Sequence, residues 1–284
     1  MHSSLPRGIV WREEECPMNL QNAYFSFLGG DGRTPWVRAC LEKAGCQVVE
    51  ISNPKLTHMI LPLPAFAANG SITGGEPLAE LVARLHPGIT LLGGKLEPWR
   101  DRLESTGAVV LDYFQDELLT AANAAVTAEG AVLLAMEQLP VTLAGTPVLV
   151  TGWGRIGQLL SRKLQALGAQ VTVSARRSRD LGMIRAMGFR AAVTGQWEDL
   201  SPYRVIFNTV PAPVLSQRDL ESTRPDCLLL ELASAPGGIE AGGSRSLIQA
   251  SGLPGKTAPE TAGRLIGETI LRLAKCQERS SHAG

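Results

Sequence analysis

Short apolar, β-branched runs alternate along the chain with longer segments whose apolar residues recur at helical spacing. This alternation is typical of parallel strands joined by helices. Strands are predicted at 23–28, 47–51, 59–61, 89–92, 108–111, 148–151, 171–173, 205–207 and 227–232. Helices are predicted at 36–44, 77–85, 116–139, 155–167, 181–187 and 259–276, with a Gly/Pro loop at 252–258. The pattern indicates an α/β protein with two doubly wound parallel sheets, joined by long helices.

The most informative motif is a glycine pattern between a predicted strand and a predicted helix, Gly152-Trp153-Gly154-Arg155-Ile156-Gly157. GxGxxG alone is common, but a strand before it and a helix after it make it far more specific. Gly152 permits a tight turn, Gly154 lets a pyrophosphate approach the backbone, and Gly157 lets helix and strand pack closely. The helix N terminus offers free N–H groups to the anion. The motif predicts a Rossmann dinucleotide-binding site, with a purely structural glycine turn as the alternative.

The end of the next strand carries basic residues where an NAD site needs an acid. An Asp or Glu there would bind the ribose hydroxyls, whereas this chain has Ser174-Ala175-Arg176-Arg177. A guanidinium at this position can pair with a 2′-phosphate, and the Ser174 hydroxyl can donate a hydrogen bond to it. We therefore expect NADP rather than NAD. The alternative is that both arginines are solvated surface charges.

Two later turns also follow predicted strands, Asn208-Thr209-Val210-Pro211 and the turn that begins at Ala233-Ser234. In doubly wound sheets, ligands bind outside the carboxyl ends of the strands. Both turns are therefore expected to face the nicotinamide half of the cofactor. The alternative for each is an ordinary connecting turn.

These assignments give a predicted domain organisation. Residues 1–17 form an extension outside the fold, and residues 18–125 form an N-terminal α/β domain on the substrate side. Residues 126–258 form the Rossmann domain, and residues 259–284 form a helix that packs back on the N-terminal domain and ends in a loose tail. The long helical segment 116–139 can bridge the two domains.

Composition excludes several classes of protein. The 284 residues carry 27 basic and 27 acidic side chains, so the charge offers no footprint for nucleic acid. No run of about 18 apolar residues occurs, which argues against a membrane-spanning segment. The five cysteines are scattered, and no CxxC pair gives zinc-ligand spacing. We expect a reduced, cytoplasmic protein without a metal site.

The motif GWGRIG occurs together with GGDGR, TAEG, SARR, NTVP, ELASAPGG and GLPGKTAPETAG. This combination resembles the A-type polypeptide family of dipicolinate synthase from endospore-forming bacteria, and the resemblance extends from residue 22 to 275. It implies an N-terminal α/β domain followed by a Rossmann domain. It also implies NADP-dependent oxidation of a dihydro- or hydroxytetrahydrodipicolinate to pyridine-2,6-dicarboxylate for spores, in the mother cell. The implied partner is a smaller, flavoprotein-like B subunit.

Binding a cyclic dicarboxylate substrate requires cations or backbone N–H groups for its two acid groups. The candidate cations are Arg33, Lys95 and Lys256. Arg33 is preferred because it follows a predicted strand end and lies in GGDGR. The alternative is that Arg33 caps a local turn through Asp31.

The candidate base is Glu129, because it lies among apolar neighbours on the connecting helix, and burial would raise its pKa. Its alternative is an ion pair with an arginine. Thr261 either binds a substrate carboxylate or merely begins the last helix. No histidine lies between Pro87 and Ser281, so a 2-hydroxyacid dehydrogenase would lack its acid/base residue.

Three functions remain open on this basis. The first is the NADP-dependent oxidation in dipicolinate synthesis, and the second is an NADP-dependent dehydrogenase of another small carboxylic acid. The third is an NADP-binding regulatory or scaffold subunit whose partner carries the chemistry. A homo-oligomer is compatible with each of them.

Overall fold

The computed structural model describes Leu20, residues 23–240 and residues 247–282, with side chains up to residue 277. The predicted extension 1–17 lies outside these residues. The first sheet contains β1 (Tyr24–Phe27), β2 (Gln47–Val48), β3 (His58–Ile60), β4 (Thr90–Gly93) and β5 (Val109–Asp112). Its strand order is β2-β1-β3-β4-β5, and every neighbouring pair is parallel. Its helices are α1 (Thr34–Lys43), α2 (Leu78–Arg84) and α3 (Arg100–Glu104).

A long helix, α4 (Glu117–Gln138), leads from the first sheet into the second. By length and composition α4 could cross a membrane, but 56% of its most apolar window is buried inside the protein. Gly130 lies at a close contact in this helix. A Cβ atom at Gly130 would lie 2.8 Å from Thr257 Oγ1 and 3.1 Å from Leu253 Cβ. The glycine of the TAEG segment therefore lets a later helix approach α4.

The second sheet has six strands in the order β11-β10-β9-β6-β7-β8, all parallel. This is the strand order of a Rossmann domain. The strands are β6 (Pro147–Thr151), β7 (Gln170–Ala175), β8 (Arg190–Val193), β9 (Val205–Asn208), β10 (Leu228–Glu231) and β11 (Leu247–Gln249). The helices around it are α5 (Arg155–Ala166), α6 (Ser178–Ala186) and α7 (Gln217–Glu221).

The chain ends with α8 (Leu253–Thr257) and α9 (Pro259–His282). Helix α9 packs along α1, beside the first sheet. A Cβ atom at Gly263 would lie only 2.6 Å from Arg33 O and from Trp36 Cβ, so this glycine allows the two helices to approach. The last helix thus returns to the side of the first sheet.

The predicted α/β class with two parallel sheets is confirmed, and the central strands explain why. Leu91 and Leu92 in the first sheet, like Leu149 and Val150 in the second, are completely buried. Strands covered by helices on both faces read as continuous apolar runs, which made them recognisable.

The prediction of a loop at 252–258 is wrong, because residues 253–257 form α8. The glycines and the proline in this segment are typical of a loop, so the short helix was not predicted. Strands β8 and β11 and helices α3 and α7 were not predicted. Each is short, and β8 lies at a sheet edge with only partly buried residues, so its pattern is weak.

Candidate functional site

The glycine turn after β6 has the geometry that a dinucleotide requires. Gly152 has φ +99°, which strongly favours glycine, and a Cβ atom there would meet Thr209 Oγ1 at 2.6 Å. Gly157 lies against the turn itself, since its Cβ would be 2.2 Å from Gly152 O. Gly154 faces open space, with no heavy atom within 4 Å of an added Cβ. The backbone before α5 is therefore accessible to a pyrophosphate, and the residues present fit the predicted group.

The other side chains of this turn support its conformation. The Trp153 ring packs edge-on against Phe189, with 6.0 Å between the ring centroids. Ile156 packs on the second sheet's core. Arg155 forms an ion pair with Glu117 in the first turn of α4. The turn is thus held to the core on one side and to α4 on the other.

At the end of β7, the structure divides the four residues that the sequence analysis had grouped into a buried pair and an exposed pair. Arg176 and Arg177 are exposed, and within the described chain no carboxylate pairs with either. Ser174 is completely buried, and its hydroxyl lies 2.8 Å from Thr194 Oγ1. The expectation that Ser174 donates to a 2′-phosphate is therefore wrong, because this side chain is buried and hydrogen-bonded to Thr194. Ala175 is buried as well, so only the two arginines remain available.

A buried polar network joins the carboxyl ends of three strands. Thr151 Oγ1 donates to Asn208 Oδ1 at 2.5 Å, and Asn208 Nδ2 donates to both carboxylate oxygens of Glu231 at 2.7 and 2.9 Å. The same carboxylate accepts the backbone N–H groups of Ala233, Gly238 and Ile239 at 2.8 to 3.0 Å. Glu231 is 2% exposed. This network shapes the loops that follow β9 and β10.

The network changes the role expected for Asn208. Its side chain is completely buried and its bonds are internal, including one from Nδ2 to Val210 O at 2.9 Å. It supports the turn instead of presenting a side chain to a ligand. Thr209 also bonds within the protein, to Thr151 O at 2.8 Å. Pro211 and Ser234 are exposed at the same sheet edge, and Ala233 and Val210 are half-buried there.

The carboxyl edges of the two sheets face each other. Lys95 follows β4 in the first sheet, Ser234 follows β10 in the second, and Lys95 Nζ donates to Ser234 Oγ at 3.1 Å. A ligand held between the sheets would therefore contact the carboxyl edge of the second sheet, where the glycine turn lies, and the loops after β4 and β5 in the first sheet.

Arg33 is not an open cation in this cleft, contrary to expectation. Its side chain is 8% exposed and paired with Asp31. Nε donates to Asp31 Oδ1 at 3.0 Å, and Nη2 donates to Leu63 O. Burial raises the pKa of Asp31, but the hydrogen bonds and charge of Arg33 outweigh it and leave that pKa lowered. Arg33 therefore matches the alternative prediction, in which it caps a local turn through Asp31.

The space beside Arg33 supports the same conclusion. The cavity there measures about 20 Å³ and is lined by residues that include Leu63 and Tyr113. Such a volume accommodates a water molecule, not a six-membered ring with two carboxylates. Gly255 closes the other side, because a Cβ atom there would lie 3.2 Å from Arg33 Nε.

Glu129 is likewise not the buried carboxylate that was expected. Its side chain is 67% exposed and pairs with Lys163 Nζ at 2.8 Å. Glu117, in the first turn of α4, pairs with Arg155 beside the glycine turn. Glu129 lies roughly 18 Å further along the same helix, at 1.5 Å per residue. The burial on which its candidacy as a base depended is absent.

The two remaining candidates lie near the start of α9. Thr261 is exposed in the first turn of that helix. Lys256 is exposed on α8. A Cβ at Gly32 would lie 3.7 Å from Pro259 Cβ, so α9 begins beside the carboxyl end of β1. Within the described ranges, no group of three His, Cys, Asp or Glu side chains could hold a metal ion.

The second sheet's strand order and its glycine turn define the chain as an α/β protein with two parallel sheets, of the Rossmann dinucleotide-binding class. No protein-family model matches the sequence. The dipicolinate synthase A polypeptide of Bacillus subtilis (strain 168) is 30% identical over 241 residues, which cover 80% of this chain and 81% of that relative. This chain belongs to the family of dipicolinate synthase A polypeptides, as the resemblance of its motifs indicated.

Solved structures agree with this assignment. The dipicolinate synthase A polypeptide from Bacillus halodurans superposes with a TM-score of 0.80 at 23% identity, over 89% of this chain and 98% of that one. A transhydrogenase from Sinorhizobium meliloti superposes with a TM-score of 0.70 at 14% identity, over 89% and 94% of the two chains. At these identities the superpositions establish the fold.

Sequence reasoning missed Glu231 and Asp112. Each is the last residue of a strand, and each is buried with its carboxylate accepting backbone N–H groups of the following loop. An acidic residue at the end of an apolar strand, followed by a glycine-rich turn, was the available signal in ELASAPGG.

Proposed function

We propose that this chain is an NADP-dependent oxidoreductase that converts a dihydro- or hydroxytetrahydrodipicolinate to pyridine-2,6-dicarboxylate. Family membership supports the substrate class, since the relatives bear the name dipicolinate synthase. The observation that supports a dinucleotide cofactor, and with it a redox reaction, is the open backbone at Gly154 before α5, with two exposed arginines at the end of the neighbouring strand β7. Such a turn suits the pyrophosphate of a dinucleotide.

The reaction requires little of the protein beyond positioning the substrate ring against the nicotinamide. From the dihydro ring, a hydride leaves a ring carbon for the nicotinamide and a proton leaves the ring nitrogen or a neighbouring carbon. The products are the aromatic dicarboxylate, the reduced cofactor and one proton; the hydroxylated form loses one water in addition. Aromatisation supplies much of the driving force, so holding the ring against the nicotinamide is the main task of the cleft.

The preference for NADP is the second part of the proposal. Arg176 and Arg177 lie at the end of β7, where an NAD enzyme would carry an acid. A guanidinium paired with a phosphate contributes about 1.5–3 kcal/mol. Arg176→Ala should therefore lower the ratio of NADP to NAD affinity by roughly 10- to 100-fold. Arg190→Ala is the matched control, because Arg190 is exposed at the opposite, amino-terminal edge of the same sheet.

The activity itself is tested with purified chain, NADP and the lysine-pathway dihydrodipicolinate. NADPH absorbance should increase without any partner. An increase only after the B polypeptide is added would show that the chain is a regulatory or scaffold component. No increase under either condition, with oxidation of another small carboxylic acid instead, would refute the proposed substrate.

We further propose that the partner is a smaller B subunit and that the location is the cytoplasm. The relatives are each named as one component of a synthase, which supports a second component. Co-purification of the two polypeptides would test the partnership, and fractionation of sporulating cells would test the location.

A further inference from the structure

The backbone at Lys95 is unusual in this protein. It has φ +63°, and among the residues that the structure describes it is the only non-glycine residue with positive φ. The left-handed region is unfavourable for a residue with a Cβ atom, and glycine would avoid that cost. Strained residues of this kind concentrate at ligand sites, where the surrounding structure maintains them.

Asp112 maintains this conformation from the end of β5. Its carboxylate accepts the N–H groups of Lys95 at 3.1 Å and Leu96 at 2.8 Å, and it also accepts the N–H group of Phe114 at 2.9 Å. Asp112 is 9% exposed. Its oxygens are therefore engaged by the backbone, and the ammonium of Lys95 is directed elsewhere.

The Lys95 ammonium extends across the cleft without a counter-ion. Nζ contacts Ser234 Oγ at 3.1 Å and lies 5.6 Å from the centre of the Phe114 ring. In the described part of the chain, no carboxylate lies within ion-pair distance of it. An ammonium carries three donors, so at least one remains for a ligand.

We infer that Lys95, with the Ser234 hydroxyl, binds one carboxylate of the ligand held between the two sheets, and that Asp112 positions Lys95 for this contact. Lys95 therefore takes the place that sequence analysis gave to Arg33, whose guanidinium is occupied by Asp31 and Leu63. The choice of ligand rests on the proposed function, whereas the site rests on the geometry at Lys95.

The test is calorimetric titration of the full chain, saturated with NADP, with pyridine-2,6-dicarboxylate, pyridine-2-carboxylate and pyruvate. Loss of a hydrogen bond to a charged group should weaken carboxylate binding by about 10- to 100-fold in Lys95→Met. Lys95→Arg should recover part of that loss. NADP affinity and Tm should stay at wild-type values, because this side chain is exposed.

Lys55→Met is the matched control. Lys55 is also exposed and also lies over an aromatic ring, with Nζ 5.7 Å from the centre of Tyr24. It precedes β3, at the opposite edge of the first sheet from Lys95. Carboxylate affinity should not change in this variant.

The possible outcomes separate this inference from the proposed function. If only pyridine-2-carboxylate or pyruvate binds, and Lys95→Met weakens it, the dicarboxylate assignment is wrong and the Lys95 site stands. If Lys95→Met binds every carboxylate as the wild type does, or if no carboxylate binds at all, the inference about Lys95 is overturned.

Discussion

Replacing Glu231 should reveal how much the buried network at the end of β10 contributes to the free energy of unfolding. Glu231→Ala removes the acceptor of three backbone N–H groups and of the Asn208 amide. The donors of Asn208, Gly238 and Ile239 are buried. Each buried donor left without a partner destabilises the protein by about 1–3 kcal/mol. Part of this total is offset, because the substitution also removes the cost of burying a carboxylate. We expect a net loss of about 4 kcal/mol.

Glu231→Gln should lie between the wild type and Glu231→Ala. Its amide oxygen can still accept the N–H groups of Gly238 and Ile239. Its NH2 group would face the Ala233 N–H group and the Asn208 amide, where two donors oppose each other. The similar shape keeps the site filled, so we expect about half of the alanine effect.

The assay is urea unfolding followed by far-UV circular dichroism, together with NADP titration. Glu129→Ala is the control, since it removes an exposed carboxylate paired with Lys163 and should cost at most about 1 kcal/mol. NADP affinity should fall in Glu231→Ala, because the loops after β9 and β10 lose their common support. Equal stabilities for the Glu231→Ala and Glu129→Ala variants would refute this reasoning.

Three further predictions concern single residues. Burial lowers the pKa of His58 from 6.5 to about 4, so stability should decline as pH falls from 6.5 towards 4, by up to about 3 kcal/mol. Urea midpoints at pH 7 and pH 5 would show it, and His58→Gln should flatten the difference. Gly157→Ala places a Cβ 2.2 Å from Gly152 O, so α5 must shift, and we expect a loss of about 1–3 kcal/mol and of NADP binding; retained NADP binding would contradict the glycine assignment. Lys95→Gly relieves the left-handed backbone and should add about 1 kcal/mol of stability by thermal unfolding while weakening carboxylate binding; a lower Tm would contradict the strain.

Much of this protein was readable before any tertiary contact was known. The central strands of both sheets are buried on both faces, so their apolar runs stand out in the chain. The glycine turn was readable because its spacing and its place between a strand and a helix are visible in the chain, and the structure shows the positive φ of Gly152 and the close contact of Gly157. These features depend on continuous apolar runs and on glycines at fixed spacing between a strand and a helix.

The burial and the long-range contacts of individual charged side chains were decided by the tertiary structure. Arg33 and Lys95 each carry one positive charge and Glu129 one negative charge, and the sequence left open which becomes a buried cap, a cleft cation or a surface ion pair. Arg33 is enclosed by Gly255 and Leu63. Asp112 holds the backbone of Lys95, whose ammonium contacts Ser234. Glu129 forms an exposed ion pair with Lys163. Such contacts join residues far apart in the chain, so the sequence specifies which groups are charged while the fold determines which charges remain free for a ligand.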